Sequence, residues 1–322
     1  MKGQEKVQEK MDIRSSQSRR AFIGRGAGAA LGLCAGSVLS RAQSAAPSLV
    51  IAHYKSSPQA PDGIAEEARR LTREAVAALG GMGRFVSRGD VVWIKPNIGW
   101  NRRPEQAATT NPDVVATLVE LCYQAGAKKV IVSDNSCNPA PASFARSGIQ
   151  QAAAKAGADS FIMDERKFRQ VALKGKVLQR WEVYADVLGV NKLINVPIVK
   201  HHGLCKATLG MKNLMGAVGG ERSRLHQDLG NTVADLAAFF RPALVVLDGI
   251  RVLTANGPVG GNLADVARRD TVAAGVDQVA VDAFGATLLG LKPQEIGYIV
   301  EAHNRRLGTL DFESLKPRRI EI

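Results

Sequence analysis

The strongest constraint on this chain is an alternation. Short apolar runs of strand length take turns with longer stretches of helical periodicity. Leu49 to Ala52, Val91 to Ile94, Val130 to Val132, Ser160 to Met163, Leu193 to Val199, Leu244 to Leu247 and Val272 to Gly275 read as strands. Between them, Ala65 to Leu79, a segment opened by Asn111-Pro112, Phe144 to Ala156, Leu225 to Phe240, a segment capped by Asp277 and a last one from Pro293 to Arg306 read as helices. This order predicts an α/β fold, a mainly parallel doubly wound sheet flanked by helices. Phe168 to Leu173 and Lys176 to Tyr184 alternate around Gly175, which predicts a small antiparallel hairpin added to it. An apolar fraction of 45% supplies a full core. Residues 46–322 show no repeat and no linker, so they read as a single α/β domain.

Residues 1–45 read differently. Ser18-Arg19-Arg20-Ala21-Phe22-Ile23-Gly24 resembles the twin-arginine export motif, and a Gly/Ala-rich apolar stretch follows from Ala27 to Leu39. That stretch is too short and too glycine-rich for a stable membrane span. The expectation is a signal peptide handled by the twin-arginine export machinery, with cleavage near Ala42 to Ala46 and a folded, soluble mature chain in the periplasm.

Of the net charge of +13, residues 1–45 contribute +5, with eight Lys/Arg against three Asp/Glu, so +8 remains on the rest. That surplus holds no dense basic run, and it fits either a small anionic partner or a dispersed surface charge. Aromatic residues are only 5% and do not interleave with basic ones, which argues against a nucleic-acid partner.

In open parallel sheets, ligands bind beyond the carboxyl ends of the strands. The apolar runs here end in His53-Tyr54-Lys55, Lys95-Pro96-Asn97, Ser133-Asp134-Asn135, Lys200-His201-His202 and Asp248. Parallel neighbours would bring these tips to one rim. The densest stretch is Asn191 to Gly220, where cations, imidazoles and an amide precede the glycine-rich loop Gly216 to Gly220. That loop lacks a GK[ST] sequence, so it reads as a lid or tight turn rather than a phosphate loop. Lys95, Lys200 and Lys212 form a candidate clamp for a carboxylate or phosphate, with Asn97, Asn135, Asn213 and Asp134 beside it. Any of these three lysines, when desolvated, also has the chemistry of a base or Schiff-base nucleophile. A helix face carrying Cys205, Thr208 and Lys212 would let the last two reach a ligand. His201, His202 and His226 are candidate proton carriers, although the adjacent pair points to opposite sides of an extended strand. Asp248, Cys137 and Cys205 are candidate metal ligands, though no spacing matches a zinc signature. Cys122 falls on a helical apolar face and reads as core, and Asp282, inside an apolar helix, as holding a structural hydrogen bond or a lysine pair.

Several stretches together resemble domain-of-unknown-function family 362. They are Lys95-Pro96-Asn97, Thr110-Asn111-Pro112-Asp113, Ala125-Gly126-Ala127-Lys128 with Ser133-Asp134, Lys200-His201-His202-Gly203, Lys212-Asn213-Leu214-Met215-Gly216, His226, Asp248-Gly249 and Asp277 to Ala283. The resemblance implies this fold and a site on these residues. It also points toward iron–sulfur chemistry, since some relatives carry an added ferredoxin-like module; this sequence has neither that module nor its cysteine run.

Three functions fit. One is an exported enzyme acting on a small anionic substrate by proton transfer or hydrolysis, with or without a divalent metal. The second is a redox or accessory protein holding an iron–sulfur cluster or another metal. The third is a periplasmic ligand-binding module without turnover.

Overall fold

The central strands are buried on both faces, the pattern of a sheet covered by helices on both sides. The computed structural model describes residues 46–55 and 63–322, so the export motif and the signal boundary lie outside the described residues. In chain order the strands are β1 (Leu49–His53), β2 (Val91–Pro96), β3 (Lys129–Val132), β4 (Asp159–Ser160), β5 (Phe168–Ala172), β6 (Arg180–Tyr184), β7 (Lys192–Val196), β8 (Ile198–His202), β9 (Lys206–Thr208), β10 (Leu244–Leu253), β11 (Val266–Gly275) and β12 (Arg318–Glu321). The helices are α1 (Gly63–Ala78), α2 (Pro112–Gln124), α3 (Ala140–Ser147), α4 (Ile149–Lys155), α5 (Ala185–Leu188), α6 (Gly210–Asn213), α7 (Leu229–Phe240), α8 (Gln278–Leu288) and α9 (Gly297–Asn304). None of them is long and apolar enough to cross a membrane.

The sheet has ten strands in the order β12-β1-β11-β10-β7-β2-β3-β4, with β8 paired to β10 and β9 paired to β8. β10, β7, β2, β3 and β4 are parallel neighbours, and β11 runs against β1 and β10. β5 and β6 form the separate hairpin expected from the sequence. Successive strand residues alternate between two cores. Val92 and Ile94 pack with Leu71, Leu118 and Ile149 of α1, α2 and α4, whereas Trp93 packs with Leu236 and Ala283 of α7 and α8.

The winding creates a crevice. From β2 the chain crosses through α2 to β3 and β4, then returns past the hairpin to β7 on the other side of β2. Strand order therefore reverses between β2 and β7, and beyond their carboxyl ends the loops diverge.

Local capping follows the sequence. Asn111 accepts from the Asp113 N–H at 2.9 Å and Pro112 takes the first helical position of α2. Asp277 accepts from the amides of Val279 and Ala280 to open α8. Asp282 is fully buried and accepts from the Gly210 N–H at 2.6 Å and the Met211 N–H at 2.9 Å, which fixes α6 against α8.

Other expectations are corrected. The run from Leu193 to Val199 splits at Pro197, which has no N–H for a ladder, into β7 and β8. Lys200, His201 and His202 therefore lie within a strand rather than past its end. The segment after them is β9 and one turn of helix, so Cys205, Thr208 and Lys212 do not share a helix face. Phe144 to Ala156 breaks into α3 and α4 at Gly148, whose φ of 71° is left-handed. β10 continues five residues past Asp248, to Leu253. The loop Gly99 to Ala108, whose polar composition suggests mobility, is instead pinned, with Arg102 donating to the carbonyls of Val259 and Gly260 and Gln106 to that of Gly261.

Candidate functional site

Lys95 of β2 and Asn195 of β7 are register partners at the crevice, so the pleat sends both side chains to one face. The Lys95 ammonium donates to Asp134 Oδ1 at 2.6 Å, to the Pro96 carbonyl at 3.0 Å and to Asn213 Oδ1 at 3.2 Å. Those bonds use all of its donors. The other oxygen of Asp134 accepts the Ile98 N–H at 2.6 Å. Both side chains are buried, at 0% and 3% exposure. Burial pulls the Lys95 pKa down, and the Asp134 carboxylate pulls it back up. Loss of either partner would leave an uncompensated buried charge, at about 3–5 kcal/mol. Gly216 passes directly over the pair, where a Cβ would lie 1.9 Å from Asp134 Oδ1 and 2.8 Å from Lys95 Nζ.

From this pair a chain of amides runs in both directions. Asn213 Nδ2 donates to Asn195 Oδ1 at 2.8 Å, and Asn195 Nδ2 donates to the Gly210 carbonyl at 2.7 Å. Asn97 Nδ2 donates to Asn213 Oδ1 at 3.0 Å, which leaves Asn97 Oδ1 to accept from Lys200 Nζ at 3.1 Å. Because a lysine can only donate, the two lysines fix which way the amides of Asn213 and Asn97 face. Lys200 also donates to the Ala108 carbonyl at 2.6 Å. Burial pushes the Lys200 pKa down to about 7.

Beyond the strand ends this network opens into a cavity of about 520 Å³. Lys200, Lys212, Arg222, His202, His226 and Thr208 line it, together with Asn97, Asp134, Asn135, Asn213 and Cys137. His202 and His226 stack with ring centroids 6.3 Å apart. Their hydrogen bonds assign opposite tautomers. His202 Nδ1 accepts the Leu204 N–H at 3.2 Å, so its proton is on Nε2. His226 Nδ1 lies 3.2 Å from the Arg222 carbonyl, an acceptor, so its proton is on Nδ1 and Nε2 carries the lone pair. Burial first, then the neighbouring Lys212, pushes His202 down to about 3, and the same two causes lower His226. Both rings are neutral near pH 7.

Two polar tips at the cavity wall lack an oxygen or nitrogen partner among the described residues. Lys212 is 6% exposed, and its Nζ meets only the Met215 thioether at 3.2 Å. Burial lowers its pKa. Thr208 is also 6% exposed, and its Oγ1 has no hydrogen-bond partner. Arg222 is held by its donations to the carbonyls of Asn135 and Ser136, at 2.8 and 2.7 Å.

Other residues singled out in the sequence stand elsewhere. His201 lies on the opposite face of β8 from His202 and accepts the Gly257 N–H at 3.1 Å. Lys95 sits behind Asp134 and does not line the cavity. Asp248, in the middle of β10, accepts the amides of Asn111 at 2.7 Å and Ile250 at 3.1 Å, and burial raises its pKa to about 6. It anchors the start of α2. Cys205 is half-buried with its thiol donating to the Ala207 carbonyl, and Cys122 is in the core. Asp248, Cys137 and Cys205 are thus not assembled as a ligand set, and among the described residues no group of three or more His, Cys, Asp or Glu could hold a metal ion. The free thiols of Cys122, Cys137 and Cys205 do not provide the four-cysteine ligation of an iron–sulfur cluster. Arg222 was not foreseen; in sequence it is one of several basic residues after a glycine loop.

The chain belongs to the family described as domain of unknown function DUF362, whose model matches residues 92–287. It is similar to Thylakoid-associated protein sll1697 of Synechocystis sp., with 30% identity over 267 residues, covering 78% of this chain and 80% of that relative. Among solved structures it is similar to the lactate racemase apoprotein from Thermoanaerobacterium thermosaccharolyticum, at 10% identity and a TM-score of 0.42. That match covers 73% of this chain, which spans 55% of the racemase chain.

The closeness of Gly216 to the ion pair gives a direct prediction. Gly216→Ala forces Asp134 and Lys95 apart and lowers stability by about 1–3 kcal/mol in urea unfolding, as overpacking does. An alanine variant as stable as the parent would contradict the packing described.

Proposed function

We propose that the cavity is the active site of an enzyme that moves a proton on a small organic anion. His226 Nε2 serves as the base, and the Nε2–H of the neutral His202 as the weak acid that hydrogen-bonds the developing oxyanion without giving up its proton. The observation that carries this reading is the stacked histidine pair of opposite tautomers beside Lys212 and Thr208, whose buried polar tips have no oxygen or nitrogen partner. A buried cation without an anion is unfavourable, so a carboxylate entering the cavity supplies what Lys212 lacks. Lys200 and Arg222 add to the same positive lining. Once the carboxylate is held, His226 takes a proton from the adjacent carbon, and the cations with the His202 donor stabilise the charge that moves onto oxygen.

The test is exchange in deuterated water. Small carboxylates that raise the Tm are followed by NMR for loss of the proton on the carbon next to the carboxylate. The wild type exchanges it, and His226→Gln or His202→Gln slows exchange by about 10²-fold or more. Because the His226 pKa is lowered, the base stays unprotonated below the ordinary imidazole range. Its protonation therefore slows kcat only below the ordinary imidazole range, while KM for the carboxylate rises as the pH climbs past about 7 and Lys200 loses its charge. Tight carboxylate binding with no exchange would overturn the enzyme reading and leave a binding module.

We further propose that residues 1–45 direct export by the twin-arginine route, on the strength of the Ser18 to Gly24 motif and the apolar stretch behind it. Replacing both Arg19 and Arg20 by lysine should leave unprocessed protein in the cytoplasm, seen by fractionation. Normal export of that variant would contradict the assignment.

A further inference from the structure

The geometry points to Lys212 as an imine-forming lysine, and to small 2-oxo acids as the substrate class of the cavity. This inference rests on the proposed active site and names what that site acts on.

Among the buried lysines of the described residues, Lys212 alone has a tip with no oxygen or nitrogen partner. Lys95 is tied to a carboxylate, a carbonyl and an amide, and Lys200 to an amide and a carbonyl. Lys212 Nζ has only the Met215 thioether, a weak acceptor, and it lines the cavity. It is also the leading charge acting on both His202 and His226, so acid and base stand close to it. Burial favours the uncharged amine, the form that attacks carbonyls. The remaining lining suits the rest of such a substrate. Thr208 Oγ1 is an unused buried hydroxyl, and Lys200 and Arg222 supply positive charge for a carboxylate.

The step balances within the site. The Lys212 ammonium gives a proton to His226 Nε2, and the free amine attacks the 2-oxo carbon, forming a C–N bond while the carbonyl pair moves to oxygen. A proton passes from nitrogen to that oxygen, giving a neutral carbinolamine. The His226 imidazolium then returns that proton to the hydroxyl while the His202 Nε2–H hydrogen-bonds to the departing oxygen, the C–O bond breaks, and water leaves. The product is a protonated imine, which draws electrons from the neighbouring carbon and makes its proton easier for the neutral His226 to remove.

The experiment is reductive trapping on the full chain. The protein is incubated with pyruvate and sodium cyanoborohydride, with propionate as the carbonyl-free control, and analysed by intact mass and peptide mapping. One reduced adduct per chain on Lys212 is expected with pyruvate, none with propionate, and excess propionate should suppress trapping. Lys212→Arg should remove that adduct, and a melting curve reports whether the variant is folded. Wild-type protein that gives no adduct, or label scattered over exposed lysines, would overturn the inference whatever the variant does. If propionate still raises the Tm in that case, the anion site survives and only the imine fails. If neither propionate nor pyruvate changes the Tm, the proposed active site falls with it.

Discussion

The Lys95–Asp134 ion pair is the contact around which the site is arranged. It joins the end of β2 to the loop after β3, next to the point where strand order reverses. An open parallel sheet leaves a crevice at such a point, but a crevice has no fixed chemistry. The pair supplies it by fixing Asp134 against the Ile98 amide and presenting a donor to Asn213. From Asn213 the amides of Asn195 and Asn97 carry the same orientation to Gly210 and Lys200. Each donor nitrogen in that chain meets at least one acceptor, which favours the rigidity of a buried polar network.

Against this satisfied background the unsatisfied groups stand out. Lys212 and Thr208 face the cavity without an oxygen or nitrogen partner among the described residues, next to two imidazoles held neutral by burial and by the same lysine. A protein that pairs Lys95 so completely, in a network that includes Asn213 next to Lys212, does not lack carboxylates to offer. The contrast is the physical ground for placing a ligand there. Membership of the DUF362 family does not by itself supply a reaction.

Much of the architecture was legible in the sequence because period-two and helical patterns dictate which residues face a core. The α2 cap at Asn111, the hairpin around Gly175 and the structural role of Asp282 could all be read from local chemistry. The opposite fates of His201 and His202 follow from the strand pleat alone. Other features depend on tertiary context. Pro197 splits an apolar run that looks continuous, and so Thr208 reaches the cavity from a strand rather than a helix. Asp248 looked like a strand tip because Gly249 follows it, yet β10 continues through both. Arg222 enters the cavity lining through carbonyls at Asn135 and Ser136, far away in the chain, and no local pattern announces that. Lys95 reads from the sequence as a clamp residue at the rim, but only the folded chain shows that Asp134 consumes its charge and leaves Lys212 as the unengaged one.

The most direct test of this account is a double-mutant cycle on Lys95→Met and Asp134→Asn, read as unfolding free energy in urea. Each single change should cost about 3–5 kcal/mol, because it strands a buried charge. The double variant should cost less than their sum by about 2 kcal/mol or more, since the two side chains share one interaction. Losses that add to within about 0.5 kcal/mol would contradict the coupling on which the arrangement of the site rests.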